Sequence, residues 1–304
     1  MKRIIICMLL VCAVVETTNA CTACGCSASN QYMGLLPQMN NNFIGFQFIS
    51  KGFSTNLPDD GGGDPFGLSN DNYSTFQIWG RYSINKRIQI FAFIPYIYNV
   101  RKLNGESSVI SGISDMTVMG NYRMLDKDNG AWKHTLLIGG GLKMPTGKYD
   151  SHSIQYEEGL PNMQPGTHSW DVIGDINYTI SHQAIGMNVD LCYVYTTANS
   201  DSYKFGNRRS AGISGFYRVH KNDVTLLPQV GLRYDHAEED YTNFANRVKD
   251  DMSGGWQIHA AAGVQAYYKQ WGVQFMYNQP LDQHYASGLV NMNHKIETGI
   301  LFLF

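Results

Sequence analysis

Long hydrophobic runs are missing from this chain of 304 residues. No segment approaches the roughly 20 apolar residues that a membrane-spanning helix needs, so a helical anchor is excluded. Neither sign of charge is in excess: 23 Lys and Arg stand against 25 Asp and Glu. That balance gives no reason to propose nucleic acid or an acidic partner. Pro is sparse, at 9 residues. The nucleophile elbow G-x-S-x-G is absent too; "GISG" at 212–215 lies within a strand pattern and lacks it. Ser and His without a geometry do not make a catalyst, and no enzyme is expected.

What the chain does hold is aromatics and glycine: 19 Tyr, 14 Phe, 5 Trp and 31 Gly, at a mean hydropathy of −0.25. A chain polar on average yet rich in Tyr and Gly suits alternating strands with one face in lipid and one in water. Period-two reading gives twelve strands, near 43–53, 74–84, 87–100, 112–124, 133–145, 168–180, 183–197, 207–219, 224–236, 254–269, 271–281 and 292–304. In the second, Phe76, Ile78, Tyr82 and Ile84 oppose Gln77, Arg81 and Ser83. In the sixth, Trp170, Val172, Ile176, Tyr178 and Ile180 oppose Ser169, Asp171, Asp175, Asn177 and Thr179. The third and fifth are apolar on both faces in places.

The connections alternate between short and long. Short links fall at 85–86, 126–131, 181–182, 220–223 and 269–270; long ones at 54–73, 101–111, 146–167, 198–206, 237–253 and 282–291. Tight turns on one side and long loops on the other are the rhythm of outer-membrane barrels. The expected fold is therefore all-β: a closed, antiparallel, up-and-down transmembrane barrel of residues 43–304. A secreted β-sandwich also yields alternation; strand number and loop rhythm favour the barrel. "KIETGILFLF", 295–304, then reads as the strand that closes the barrel against the first, with Phe304 as the signal for the barrel insertion machinery.

The opening "MKRIIICMLLVCAVVETTNAC" has basic Lys2 and Arg3, an apolar run Ile4 to Val15 and the small-residue site Thr18-Asn19-Ala20. It reads as a secretory signal peptide over 1–20, cut after Ala20. Residues 21–42 form a periplasmic lead or short plug. Cys21, Cys24 and Cys26 there stand in C-x2-C-x-C spacing. Such thiols can form a disulfide in an oxidising compartment, hold Cu(I) or Zn(II), or carry lipid on Cys21. All three readings stand, although the Leu usual three residues before a lipidated Cys is lacking. The loop with Asp59, Asp60, Asp64, Asn70, Asp71 and Asn72 reads as solvated rather than calcium-binding, since its spacing is not an EF-hand's. "HAEEDYTNFANRVKDD" reads as a solvated loop as well.

Three stretches carry a resemblance: "GISDMTVMGNYRML" (112–125), "GLKMPTGKY" (141–149) and "MQPGTHSWDVIGDINY" (163–178). In this order they resemble a family of Gram-negative outer-membrane transporters labelled the MetA pathway of phenol degradation. Members typically show Gly-x-Gly-Asp, Gly-Leu-Lys-x-Pro-Thr-Gly and Pro-Gly-Thr-Gly-Ser-Trp/Tyr-Asp. Here Ser114 replaces the second Gly of the first motif, and His168 the Gly before Ser169. The resemblance implies a barrel that passes small organic compounds, aromatic ones among them. On their own physics the Gly and Pro of these motifs punctuate one loop between two strands.

Inward polar residues set the character of a barrel's interior. Alternation puts Arg81, Asp115, Arg123, Lys143, Asp171, Asp175, Asp190, Arg218, Arg233, Asp235, His259, Lys295 and Glu297 on that face. Cys192 faces it as a lone thiol. Such a mixed lining passes polar or amphipathic solutes if open, and fills a scaffold if its charges pair. The expectation is a channel for passive passage of small solutes, in contact with outer-membrane lipid and with no resident cofactor. The alternative is a non-transporting barrel, structural or metal-responsive through its N-terminal cysteines. Reversing the charge of Lys143, inward near the outer rim, is expected to tune selectivity with little effect on folding.

Overall fold

The computed structural model describes residues 41–57, 67–103, 105–150, 161–250 and 252–304. The signal segment 1–20, the cysteines Cys21, Cys24 and Cys26, and the carboxylates Asp59, Asp60 and Asp64 lie outside the described residues.

Where side chains alternate, the chain forms long antiparallel strands: β1 (Phe43–Leu57), β2 (Gly67–Ser83), β3 (Ile88–Leu103), β4 (Glu106–Ile113), β5 (Thr117–Asp128), β6 (Trp132–Lys143), β7 (Asp171–His182), β8 (Ile185–Thr196), β9 (Arg208–Tyr217), β10 (Val219–Lys221), β11 (Val224–Ala237), β12 (Asp240–Asn243), β13 (Val248–Asp250), β14 (Gly255–Tyr268), β15 (Trp271–Tyr285) and β16 (Val290–Leu303). All but β12 and β13 belong to one sheet. β4 with β5, and β9 with β10, are single staves interrupted by a break, so the wall has twelve staves. β16 pairs with β1 from Phe43 opposite Leu303, and β9 pairs with β11. The sheet therefore has no free edge, the condition for backbone to lie in hydrocarbon.

Outward positions carry a continuous apolar surface. Ile300, Phe46, Ile78 and Ile94 stand side by side across four strands, each about half exposed. A surface of this extent on a soluble monomer would be an aggregation site; around a barrel it is a lipid-facing belt. The short connections sit at one end, here the turn end, with the start of β1 and the end of β16. Gln183, Asn222 and Lys269 take left-handed conformations in the tight turns there.

Three features differ from the pattern reading. The 101–111 link is mostly hairpin, with β3 and β4 paired out to Leu103 and Glu106. Asp71 is not on a solvated loop: it is buried on β2, and its carboxylate lies 2.7 Å from Arg101. The 237–253 link contains the β12–β13 hairpin. This hairpin packs on the 198–206 loop, where the Tyr203 hydroxyl donates to Asp240 at 2.6 Å and the Gly206 amide donates at 2.7 Å. Lys204 lies over the rings of Tyr195, Tyr241 and Phe244 at 5.6–5.8 Å.

Two expected outcomes arise here. A closed barrel resists detergent until boiled, so unheated protein should migrate differently from boiled protein on a gel. A product with one mobility would count against closure. The second concerns Asp240, whose carboxyl is pushed up to about 6 by burial, against the hydrogen bonds from Tyr203 and Gly206. Its folded-state value lies above the ordinary carboxylate range. The docked hairpin thus takes up a proton as pH falls through about 6, and loses that stabilisation as pH rises through it. Protease nicking within 237–253 should be slower at pH 5 than at pH 7.5. In Asp240→Asn, where an amide keeps partners for Tyr203 and Gly206 without a charge, the difference should vanish.

Candidate functional site

The residues of the three sequence stretches converge at the loop end of the wall. The stave of β4 and β5 breaks at Ser114–Met116, and the break is held by the loop after β6. The Met144 amide donates to the Met116 carbonyl at 2.8 Å and the Met116 amide to Thr146 Oγ1 at 2.9 Å. Two turns then stack: a Cβ on Gly147 or Gly166 would lie 2.7 Å from the other's backbone. Only glycine permits that approach. Asp115 fills the junction. Its Oδ1 accepts from the Gly147 amide at 2.9 Å; its Oδ2 accepts from the Thr167 amide at 2.9 Å and hydroxyl at 2.7 Å. Lys143 Nζ sits 3.2 Å from Asp115, 2.9 Å from Asp171 and 2.5 Å from Thr167 Oγ1. Arg208, from β9, reaches Asp171 at 3.1 Å. Two cations and two carboxylates thus tie three strands and one loop into a knot in which each charge faces an opposite one, the condition under which buried charge is tolerated, although the Arg208 Nε meets no acceptor among the described residues.

The knot anchors a lid. The 3-10 turn Pro161–Met163 lies in the mouth, where Met163 packs among Phe53, Tyr73, Tyr285, Val290 and Met292. The Asn99 amide holds the Met163 carbonyl at 3.0 Å. Beneath the lid are two adjoining cavities of about 150 and 100 Å³. Both are lined by Thr75, Ile97, Asp115, Lys143 and Arg208; Lys51 and Asn99 line the upper one, Gln77, Phe93 and Val194 the lower.

Farther in, polar side chains pair with one another. Arg233 reaches Asp190 at 2.7 Å, Asp235 at 3.3 Å and the Ser210 hydroxyl at 3.0 Å. His259 Nδ1 lies 3.6 Å from Asp235, beyond hydrogen-bond distance, and neither ring nitrogen is hydrogen-bonded among the described residues. Lys295 and Glu297 pair at 2.9 Å. Asn121 donates to Asp175 at 2.9 Å and Gln77 to Gln47 at 3.2 Å. Toward the turn end the inner face becomes apolar, with Phe43, Trp79, Phe91, Phe93, Leu301 and Leu303 in one cluster. Arg81 lies over the rings of Phe43 and Phe91 at 5.3 and 6.0 Å and donates to the Asn41 carbonyl.

Arg81, Asp115, Arg123, Asp171, Asp175, Arg233, Asp235, His259, Lys295 and Glu297 are buried in the interior. The Lys143 and Asp190 side chains retain 13% and 15% exposure there. Arg123 pairs with Asp126 at 3.1 Å. Cys192 packs against the inner apolar cluster. Arg218, expected inward as well, is exposed between β9 and β10. Its parity is right, but the stave has already broken at the turn end, where the Arg218 amide donates to the Ala184 carbonyl at 2.6 Å. The reading missed Arg208, Thr167 and the Asp71–Arg101 pair. The tandem Arg208-Arg209 opening a strand was a usable signal for the first, since period two forces one of the two inward.

No family model matches the chain, and no curated protein matches it either. Solved structures do. The COG4313 outer membrane channel from Pseudomonas putida F1 superposes with a TM-score of 0.64 at 13% identity, over 87% of this chain and 96% of that one. The β domain of the Bordetella autotransporter BrkA gives 0.52 at 11% identity, over 87% and 100%. The transport unit of the autotransporter AIDA-I from Escherichia coli gives 0.50 at 10% identity, over 91% and 94%. At these identities the likeness establishes the fold: this chain is a closed β-barrel of the outer-membrane type.

Proposed function

We propose that this chain is an outer-membrane channel for passive passage of small solutes, hydrophobic or aromatic ones among them. The observation that carries the reading is the cavity pair under the lid. A solute entering from the loop end meets the charged ends of Lys143, Arg208 and Asp115, then Phe93 and the aromatic layer beyond. That order suits a compound with a polar handle and an apolar ring: the charges orient it and the rings stack with it. The lid turn must swing aside for passage. The likeness to a bacterial outer membrane channel and the three motif stretches support assignment to the transporter family labelled the MetA pathway of phenol degradation. Export through a signal peptide cut after Ala20, and insertion directed by the terminal strand with Phe304, complete the reading. No catalytic step is assigned to the barrel.

The test is flux. Proteoliposomes carrying folded, heat-shifting protein should admit small phenolic and carboxylic solutes faster than empty liposomes. A second reading, a filled and non-transporting scaffold, draws on the dense ion pairing and on the full burial of Phe91 and Leu301. Liposomes that stay sealed with well-folded protein would leave that reading standing and remove the channel.

A further inference from the structure

The outer wall carries a hollow that the channel reading does not use. On β6 to β9 and β11, two neighbouring outward rows meet. One runs Ile138, Ile176, Leu191, Ala211 and Tyr234 in register; the next holds Gly174, Tyr193 and Arg209. Gly174 and Ala211 lack side chains long enough to fill the wall between Ile176, Leu191, Tyr193 and Tyr234. The result is an apolar depression of about 570 Å³, which the inward-row residues Gly139, Asp175, Cys192 and Ser210 also line where the wall is thin, within the range of about 300–1,000 Å³ found for small-molecule sites. Arg209 lines it, exposed, and has no carboxylate within ion-pair distance among the described residues. An unpaired cation on a lipid-facing wall is costly near the midplane and cheap near the interface. Its height follows from its neighbours. Arg209 is the second residue of β9, at the loop end of the wall, and stands in register with the outward Tyr193.

We propose that this hollow binds one phosphate-bearing glycolipid of the outer leaflet, with an acyl chain against Gly174 and Ala211 and a phosphate on Arg209. The wall supplies apolar contact below and one strong donor fork above, the pairing that such a lipid presents in reverse. The outer leaflet is chosen because Arg209 stands at the loop end, which faces outward in barrels of this type. The inference rests on the outer-membrane reading.

The experiment is native mass spectrometry of the full mature protein in mild detergent, delipidated and then titrated with diphosphoryl lipid A, phosphatidylglycerol or phosphatidylcholine. Wild type should take up one equivalent of lipid A in preference to the other two. Arg209→Gln should weaken that binding about tenfold, the loss of one charge-assisted contact. Gly174→Leu should do the same by filling the hollow; a Cβ there meets nothing within 4 Å, so the barrel accommodates it. Gly215→Leu, outward on β9 and off the hollow, also meets nothing within 4 Å and should bind as wild type does. Unchanged binding in Arg209→Gln and Gly174→Leu, equal uptake of phosphatidylglycerol, or a second copy of the chain cross-linked through Leu191→Cys in place of lipid would overturn the proposal. Heat-shifting wild type that takes up no lipid defeats this inference alone, whereas loss of the heat shift in wild type defeats the outer-membrane reading beneath it.

Discussion

Replacing Lys143 with Glu is expected to loosen the loop-end mouth while leaving the barrel closed. In the wild type one ammonium serves two carboxylates, Asp115 and Asp171, both almost wholly buried. The substitution removes that cation and adds a third carboxylate within the same few ångströms. Removing one partner of a buried pair costs about 3–5 kcal/mol, because the remaining charge has no solvent to turn to. Arg208 still holds Asp171, so Asp115 bears most of the loss. The damage should stay local. The wall beside it is held by ladder bonds along the whole of β5, β6 and β7, whereas Asp115 is the clasp between the Gly147 and Thr167 turns. The variant should keep its heat shift on gels. Protease nicking between Thr146 and Trp170 should accelerate, and solute entry into proteoliposomes should rise as the lid turn loses its anchor. Lys143→Met, which leaves the carboxylates unpaired but adds no charge, should give a smaller effect of the same sign, and Lys143→Arg should restore wild-type behaviour. Nicking unchanged in Lys143→Glu would show that the knot does not hold the lid.

That expectation differs from the one drawn from alternation alone, which makes Lys143 an innocent lining charge. Period two told which way Lys143 points and nothing of what it meets. Its partners come from 28 positions upstream and downstream, through loops whose spacing carries no periodic signal, at Asp115 and Asp171. The twelve staves were legible because lipid on one side and interior on the other impose opposite chemistry on successive residues. Legibility faded wherever that contrast fades. Beyond the belt both faces of a hairpin meet water, so the Leu103–Glu106 end of β3 and β4 reads as loop. The third strand looked apolar on both faces because it is: Ile90 and Ile94 face outward while Phe91 and Phe93 join the inner cluster near the turn end. Leu301 and Leu303 of the last strand do the same. The inner face is therefore polar toward the loop end and apolar in the aromatic layer toward the turn end. The break at Ser114–Met116 was illegible for another reason. Nothing in "GISDMT" interrupts a strand; the chain is drawn aside by hydrogen bonds from Gly147 and Thr167, which only the folded loop supplies.

Ile78→Lys is expected to cost about 2–4 kcal/mol if its site is at the bilayer midplane, the range for a cation placed there on a barrel's lipid face. Ile78 lies in the run Ile300, Phe46, Ile78, Ile94, with only apolar neighbours in register on either side. A lysine there stands between Phe46 and Ile94 in register and must snorkel along the strand to reach water. The neighbouring position behaves oppositely. Gln77 is almost fully buried on the inner face and donates to Gln47 at 3.2 Å. Gln77→Leu removes one hydrogen bond and leaves the Gln47 acceptor unmet, a loss of about 1–3 kcal/mol that no lipid modulates. The two variants separate the environments when unfolding by urea is followed in lipid vesicles and again in detergent of shorter apolar depth. The Ile78→Lys penalty should shrink in the detergent, where water reaches the belt more easily, and the Gln77→Leu penalty should not. On a water-exposed sandwich the result would reverse in kind: a lysine at a half-exposed position would be tolerated, or would even improve solubility. A stable, vesicle-inserted Ile78→Lys protein indistinguishable from wild type would therefore remove lipid from the outer face of the barrel.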